Sequence, residues 1–376
     1  KFHHMLTSYL TWYLNLDLEL AGTTDRYLLL SSSVSKPTEL LHRHLRQFAE
    51  DGVERFSHLS SAWGHPVLVE NLTRRYGVEP ERLVTTNGAS NGIYLLCRAL
   101  LNSGSHVIIE SPVYEPLPAS PEFIGVKIDR VQRRPPDYQL DPEETAELVR
   151  PSTALILITN LHNPTGALLA DDLLLELAGR ARARNPRILI VVDEVYHDFV
   201  HKKQQPAARL EDCFISLHSL TKVYGLKHLH CGWIIGPTSV INRIRQLQLL
   251  VEGSYARVLE DISACVTEHL EEYWDRADLL VRQNRAIVTQ YLHPLTEDGV
   301  LEGEIPEYGC IAFPRLAEVK NADEILDQLA RQFQVYVVPG RFFGNPQGMR
   351  IGFGAETGRL KQSLERLVDG LRSLRR

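Results

Sequence analysis

Four short motifs in this chain carry side chains that could do chemistry together. They read Asn-Gly-Ala-Ser at residues 87–90, His-Asn-Pro-Thr-Gly at 162–166, Asp-Glu-Val-Tyr at 193–196 and Ser-Leu-Thr-Lys at 219–222. Each motif alone also fits an ordinary turn or a solvated loop. The last three, however, each follow an apolar run, so an amide, a carboxylate, a phenol and an amine would meet at one edge of a sheet. Because α/β folds bind ligands at that edge, the motifs predict one small-molecule site.

The elements that must position these motifs are buried strands and the helices between them. Short apolar runs predict strands at residues 106–110, 154–159, 188–193, 214–218 and 232–236. They do not alternate with polar residues, which is typical of a mostly parallel sheet that is covered on both faces. Residues 171–185 carry acids in their first turn and arginines in their last, as the helix dipole favours, and predict a crossover helix. The fold class is therefore α/β.

Composition excludes several classes of protein. The 376 residues are 44% hydrophobic and 23% charged, as in a folded globular enzyme, and the formal net charge of −6 argues against nucleic acid as a partner. The five cysteines include no C-x-x-C pair, so neither a disulfide framework nor a zinc site is expected. The sequence contains neither a long apolar run nor a secretory signal, so we expect a cytoplasmic protein with no membrane contact. We also expect no bound metal.

The C-terminal third has a different texture, with long charged helices from about residue 255 and a stretch punctuated by Gly and Pro at 303–354. Its last helix carries one apolar stripe, made of Leu360, Leu364, Leu367, Leu371 and Leu374. This spacing favours docking onto its own domain over a coiled coil with a partner. We predict a large domain at residues 41–287, and a smaller α+β domain formed by residues 1–40 and 288–376.

The motif combination resembles the fold-type I aminotransferases of class I and II, which depend on pyridoxal 5′-phosphate, over nearly the whole chain. The resemblance implies that Lys222 bonds to the cofactor and later moves the substrate's α-proton. It implies that Asp193 pairs with the pyridine nitrogen, and that Asn163 and Tyr196 donate to the phenolate oxygen of the ring. Tyr114 matches the aromatic residue that stacks on the ring.

The phosphate end of this expected site departs from the family pattern. Gly88, Ala89 and Ser90 begin a predicted helix whose free N–H groups suit a dianion, and Ser219 matches the family's serine. His230, however, stands where the family usually has an arginine. The tyrosine that a neighbouring subunit usually lends would fall near residue 59, which is a leucine here. The other residues open as substitutes are His58, Ser60, Ser61 and Lys227.

Residues near both ends of the chain are expected to bind the substrate. Arg350, in the sequence Gly-Met-Arg-Ile-Gly, matches the family's arginine for the α-carboxylate, a role that suits a bidentate guanidinium. Asn163 is implied as a second contact. Ser32 and Ser33 lie in an N-terminal arm where the family commonly carries a glycine near the substrate. The resemblance also implies a homodimer with active sites at the interface.

The expected function is transamination between an α-amino acid and a 2-oxo acid by a ping-pong mechanism. An elimination, replacement or cyclisation on the same cofactor stays open, because the serine-rich arm and the segment at 339–344 also faintly resemble capreomycidine-synthase-like cyclases. A non-catalytic homologue that only binds the cofactor is a remote alternative.

Overall fold

This computed structural model describes residues 8–21, 26–50, 63–200, 205–251 and 257–374, and the central part of the chain forms a seven-stranded sheet. The strands of this sheet and of the smaller sheets are β1 (Tyr27–Leu28), β2 (Leu83–Thr86), β3 (His106–Ser111), β4 (Lys127–Gln132), β5 (Thr153–Thr159), β6 (Leu189–Asp193), β7 (Phe214–Ser219), β8 (Gly232–Ile235), β9 (Leu301–Glu302), β10 (Ile311–Ala312), β11 (Arg315–Leu316), β12 (Val335–Tyr336), β13 (Val338–Pro339) and β14 (Met349–Gly352).

The large sheet has the strand order β2-β8-β7-β6-β5-β3-β4. Strands β3 to β7 are parallel, whereas β8 runs antiparallel to both of its neighbours, β7 and β2. The parallel strands β5, β6 and β7 therefore end at the same edge of the sheet. The predicted α/β class with a mostly parallel sheet is confirmed.

Helices cover the sheet and form the rest of the molecule. They are α1 (Ser8–Leu20), α2 (Thr38–Glu50), α3 (Pro66–Tyr76), α4 (Gly88–Leu100), α5 (Pro116–Ile124), α6 (Pro142–Glu147), α7 (Asp171–Arg184), α8 (Thr238–Val251), α9 (Arg257–Glu268), α10 (Leu270–Glu297), α11 (Asp323–Phe333) and α12 (Thr357–Leu374). Helix α7 is the predicted crossover helix, and its buried leucines and alanines pack on one face of the sheet.

Two strands of the sheet have no counterpart among the predicted ones. Strand β4 is the edge strand, and its sequence KIDRVQ is mostly exposed or half-buried, so it lacks an apolar run. Strand β2 is buried but only four residues long, which is too short for a pattern to stand out. The five predicted strands agree with the structure to within one residue at each end.

The C-terminal part packs as one hydrophobic cluster with the long helix α10. Leu360, Leu364, Leu367 and Leu371 of α12 are fully buried, and they share a cluster with residues of α10 and α11. The final helix thus docks on its own chain, as its apolar stripe predicts. The predicted domain division at residues 40/41 and 287/288 stays a prediction; its second boundary falls inside α10.

The N-terminal arm, residues 29–35, runs between the two parts of the molecule. Its backbone bonds to Tyr336 of β12, to Gly352 and Gly354, and, through the Val34 N–H, to the carbonyl of Lys222 at 3.1 Å. This arm is therefore held against both the C-terminal strands and the loop after β7.

Candidate active site

A cavity of about 610 Å³ opens where the parallel strands end. Its walls come from the loops after β5, β6 and β7, the first turn of α4 and one residue of α1. The residues that line it are Leu10, Asn87, Gly88, Ala89, Ser90, Ile93, Tyr114, Thr159, Asn163, Asp193, Val195, Tyr196, Ser219, Thr221, Lys222, Lys227, His228 and His230. The structure thus brings every cofactor-binding residue predicted from the sequence to one cavity.

Lys222 follows β7 and points its amine into the cavity. Its Nζ lies 3.0 Å from the Ser32 hydroxyl of the N-terminal arm. Burial, and after it the positive charge of Arg350, lower the pKa of Lys222 to about 8. The neutral, nucleophilic amine is therefore accessible near neutral pH, as a lysine that forms a covalent bond to a carbonyl requires.

Asp193 is the last residue of β6, beside Thr159 of β5 in the parallel register. Its Oδ1 accepts a hydrogen bond from the Val195 N–H at 3.2 Å. Burial raises the pKa of Asp193 to about 7, against the opposing effects of that bond and of Lys222. A buried carboxyl with this protonation balance would be stabilised as the anion by a cationic N–H donor placed in the cavity.

Asn163 and Tyr196 stand on either side of this carboxyl in the chain. The Asn163 N–H donates to Thr159 Oγ1 at 3.1 Å, and the Asn163 Oδ1 accepts from Arg350 Nη1 at 3.1 Å. The Tyr196 hydroxyl is buried near Ser32 without a hydrogen bond of good geometry. Burial raises the pKa of Tyr196, so the phenol keeps its proton and can donate it to an acceptor in the cavity.

A buried ion pair supports the loop that carries Asn163, and sequence reasoning missed it. Glu110 Oε2 accepts from Arg133 Nη1 at 2.8 Å, and both side chains are fully buried. Glu110 Oε1 accepts from both the N–H and the hydroxyl of Thr159, at 2.8 and 2.6 Å. Because the same Thr159 hydroxyl accepts a hydrogen bond from the backbone N–H of Asn163, the ion pair helps to position the backbone of Asn163. No sequence motif predicts this ion pair, because its two residues come together only when strands β3, β4 and β5 are assembled in the sheet.

The anion-binding end of the cavity is the first turn of α4. Gly88 adopts φ +81°, a left-handed conformation that glycine tolerates, as the chain turns from β2 into the helix. The Ser219 hydroxyl, which lies next to this turn in the cavity, accepts from the Thr221 N–H at 3.3 Å. Free N–H groups and the dipole at a helix start suit a phosphate group.

Basic side chains line the same end. Lys227, His228 and His230 all belong to the cavity wall, and His230 has a left-handed backbone at φ +46°. The pKa of His228 is lowered by burial and then by the charges of Lys36, Lys227 and His230. The predicted substitutes His58, Ser60 and Ser61, and the position near residue 59, lie outside the described residues.

Arg350, on β14, is fully buried and contacts the cavity wall through Asn163. Its Nη2 donates to the Tyr9 hydroxyl at 3.2 Å and to the Leu30 carbonyl at 3.3 Å, in addition to the Asn163 contact. Ser32 contacts Lys222, but the Ser33 hydroxyl lies 3.2 Å from that of Ser31 and has no contact with the cavity among the described residues. Of the two predicted serines, the geometry favours Ser32.

Tyr114 completes the cavity wall beside Arg350. Its ring meets the ring of Tyr9 edge to face, with centroids 5.6 Å apart. Burial raises the pKa of Tyr114, so this phenol also stays neutral. The ring is held by an aromatic neighbour and can present its face to a planar ligand.

Other clusters in the described residues fit chemistry less well. A larger cavity, about 770 Å³, is lined mainly by charged side chains such as Arg43 and Glu272, which pair with each other. His44, His269 and Glu272 lie close together, but the two imidazole rings stack with centroids 4.1 Å apart and planes 11° apart. A ring nitrogen's lone pair lies in the ring plane, so two stacked rings cannot both aim at one metal ion.

None of the helices formed by the described residues is long and apolar enough to span a bilayer.

Comparisons with known proteins agree with this geometry. The family described as aminotransferase class I and II matches residues 27–367. Capreomycidine synthase of Streptomyces vinaceus is 26% identical over 295 residues, which cover 77% of this chain and 74% of the relative. Aspartate aminotransferase of Pyrococcus horikoshii is 26% identical and covers 91% and 90%. A solved PLP-dependent aminotransferase from Streptococcus suis superposes with a TM-score of 0.87 at 26% identity, covering 98% of each chain.

Proposed function

The chain belongs to the family of class I and II aminotransferases, which are pyridoxal 5′-phosphate enzymes, and we propose that Lys222, Asp193 and Arg350 carry out its transamination of an α-amino acid. The observation that carries this proposal is that Lys222 and Asp193 line one cavity, and that Asn163 of the same lining accepts a hydrogen bond from Arg350 at 3.1 Å. An amine, a carboxyl and a guanidinium are the three groups that the reaction requires. Their joint presence argues against the alternative of a non-catalytic homologue.

The residues present fit pyridoxal 5′-phosphate. The buried Tyr196 hydroxyl has no well-formed hydrogen bond and suits the ring's oxygen, and the carboxyl of Asp193 suits the pyridine nitrogen. The first turn of α4 suits the phosphate, and Lys222 suits the aldehyde. Each group of the cofactor would thus meet a complementary group of the protein.

The cofactor supplies, when bound, an aldehyde that condenses with amines and a ring that withdraws electrons from the carbon attached to the nitrogen. The protein's own residues then bind, orient and move protons. Lys222, with its pKa lowered to about 8, can accept the proton from the substrate's α-carbon and would deliver it to the carbon that was the cofactor's aldehyde. Asp193 would keep the ring nitrogen protonated, and Tyr196 and Asn163 would hold the ring oxygen.

Arg350 orients the substrate by its α-carboxylate. A planar guanidinium can grip a carboxylate through two parallel N–H groups, and its burial strengthens that pair. The Asn163 bond fixes the plane of the guanidinium, because it holds Nη1 from the cofactor side of the cavity. The substrate's α-carbon is thereby directed toward Lys222.

The cofactor phosphate would lie among Gly88, Ser90, Ser219 and the basic residues of the cavity wall. His230 takes the position of the usual arginine, and Lys227 stands three residues before it in the same wall. An imidazole and a primary amine would thus take the place of a guanidinium, which can offer two parallel N–H groups to a phosphate.

A homodimer in the cytoplasm, and closure of the smaller domain over the substrate, complete the proposal. All five cysteines are buried and none forms a disulfide among the described residues, which suits a reducing compartment. Leu250, near the end of α8, and Val258, near the start of α9, are exposed by 83% and 67%, and such apolar surface favours self-association.

A screen of amino acids without an acceptor tests the proposed reaction. A true amino donor converts the bound cofactor to its amine form, with a change in absorbance, and releases one equivalent of 2-oxo acid. The Lys222→Ala variant serves as the control and should show no conversion. Turnover that leaves the cofactor unconverted and releases no 2-oxo acid would contradict transamination.

Cyclisation of an amino acid is the second candidate, favoured by the Ser32 hydroxyl at 3.0 Å from Lys222. One relative of similar identity is named capreomycidine synthase. A ring-closing enzyme keeps the substrate's α-nitrogen in its product, whereas a transaminase removes it. Incubation with arginine derivatives labelled with ¹⁵N at the α-position distinguishes the two reactions by the mass of the product.

A further inference from the structure

Helix α1 packs beside Arg350 through its first turn, in which Leu10 lines the cavity and Tyr9 contacts the guanidinium. Tyr9 is only 6% exposed. Its ring lies edge to face with Tyr114 and with Phe342, at centroid distances of 5.6 and 5.7 Å. The guanidinium of Arg350 lies 5.8 Å from the centre of the same ring. The N-terminal helix is thus part of the wall around Arg350.

A carboxylate from another element holds this first turn in place. The Tyr9 N–H donates to Glu115 Oε2 at 2.5 Å. The first N–H groups of a helix have no partner within the helix, and a carboxylate there also interacts favourably with the helix dipole. Because Glu115 directly follows Tyr114, the bond ties α1 to the segment that forms the cavity wall.

The hydrogen bonds of Arg350 leave a role for the Tyr9 hydroxyl. Arg350 can only donate, so the Tyr9 oxygen is the acceptor of the 3.2 Å bond from Nη2. The tyrosine's own proton is not used in that bond and remains available to an acceptor beside the guanidinium. The Nε of Arg350 is buried and has no hydrogen-bond partner among the described residues. A carboxylate arriving here would find guanidinium donors and a phenol donor side by side.

We propose that Tyr9 is a substrate-binding residue whose hydroxyl donates to the α-carboxylate held by Arg350. This inference rests on the proposed function, because it takes Arg350 as the carboxylate site. In the structure the phenol accepts from Arg350, and on binding it also donates to the carboxylate oxygen beside it. Tyr9 thereby makes helix α1 part of substrate recognition and favours substrates that carry a carboxylate next to the amine.

Substitution Tyr9→Phe tests the role because it removes the hydroxyl and keeps the ring in its aromatic contacts. The probe is 3-phenylpropionate, a carboxylate without an amine that cannot react, titrated calorimetrically into the cofactor-loaded protein. We expect the dissociation constant to rise about tenfold or more, as for a lost hydrogen bond to a charged group. The cofactor's absorbance spectrum should stay unchanged.

Three further variants make the outcome decisive. Tyr13→Phe removes a hydroxyl from the same helix, where no described hydrogen bond joins Tyr13 to Arg350, and should leave the dissociation constant unchanged. Glu115→Gln should weaken binding less than Tyr9→Phe does, because the neutral amide still accepts the Tyr9 N–H. Arg350→Lys should weaken it most.

The results separate this inference from the proposed function. Loss of binding in Arg350→Lys with none in Tyr9→Phe overturns the role of Tyr9 and leaves the carboxylate site intact. Unchanged binding in both variants overturns the carboxylate site itself. Equal weakening in Tyr9→Phe and Tyr13→Phe shows that helix packing, not the hydroxyl, is responsible, and also overturns the proposal.

Discussion

At the scale of single side chains, burial shifts the pKa values of Lys222 and Asp193 in opposite directions. It lowers the pKa of Lys222 to about 8 and raises that of Asp193 to about 7. Both effects favour the neutral form, because a charge in a water-poor cavity loses solvation. The cavity thus holds an amine that can react and a carboxyl that gains its charge beside a cationic partner.

Covalent capture of the cofactor by Lys222 should follow this shifted pKa. We expect the capture rate of cofactor-free protein to rise as the pH increases through about 8, because only the neutral amine attacks a carbonyl. Stopped-flow absorbance over a range of pH values measures it. Arg350→Met should move the midpoint upward, since it removes a nearby positive charge. A midpoint near 10.5, the ordinary value for lysine, would contradict the burial of the amine.

His230→Arg should tighten cofactor binding about tenfold. Arginine offers a permanent charge and two parallel N–H groups to a phosphate, which an imidazole does not. Dissociation constants measured by fluorescence on both proteins test the change, with Lys227→Arg as a control that conserves charge. If the two variants bind alike, we infer that His230 does not contact the phosphate.

At the scale of secondary-structure elements, close backbone contacts hold the N-terminal arm against β14. A Cβ on Gly352 would lie 1.8 Å from the Ser31 carbonyl oxygen, so only glycine permits this approach. Gly352 also donates its N–H to the Leu29 carbonyl at 2.7 Å. Since the neighbouring Ser32 reaches Lys222, the contact of arm and strand determines the position of a side chain in the cavity.

Gly352→Ala should therefore displace the arm and disturb the cavity. We expect a loss of about 1–3 kcal/mol in the free energy of unfolding, as for overpacking at a close contact, together with a shifted cofactor spectrum. Gly358→Ala is the matched control, because a Cβ there meets nothing within 4 Å. Chemical denaturation and absorbance measure both effects. A spectrum that stays unchanged despite lost stability would show that the arm does not position the site.

At the scale of the whole molecule, exposed apolar side chains among the described residues favour self-association. Leu249, Leu250 and Val251 end helix α8 with exposed fractions of 43%, 83% and 57%, and Val258 at the start of α9 adds 67%. Exposed apolar residues are ordinary when isolated, but a group of them favours an interface. The homodimer expected from the family resemblance has a candidate contact here.

Leu250→Glu should shift the protein toward monomers, because it places a charge in the apolar contact. Sedimentation equilibrium measures the association, and cofactor retention should fall with it if the active sites lie at the interface. Leu279→Glu, at a 55% exposed position of α10, is the control. A wild-type protein that is monomeric and fully active would exclude this assembly.

The local sequence was sufficient to predict the strands that are followed directly by reactive side chains. An apolar run followed directly by Asp193 or by the loop to Lys222 indicates both a buried strand and a polar group at its end, because the apolar pattern of a buried strand is a local property of the sequence. The predicted convergence at the sheet edge followed from the general rule for parallel strands. The antiparallel direction of β8 and the exposed edge strand β4 did not follow, because strand pairing depends on partners distant in the chain.

Only the tertiary structure decided the contacts that complete the site. Tyr9 and Arg350 are 341 residues apart, Ser32 and Lys222 are 190 apart, and Glu110 and Thr159 are 49 apart. No periodicity or motif joins such pairs, since each depends on strand order, helix packing and the path of the arm together. The sequence by itself determined which groups could react. The folded chain determined which second residues hold them, because hydrogen bonds require specific distances that a linear pattern does not encode.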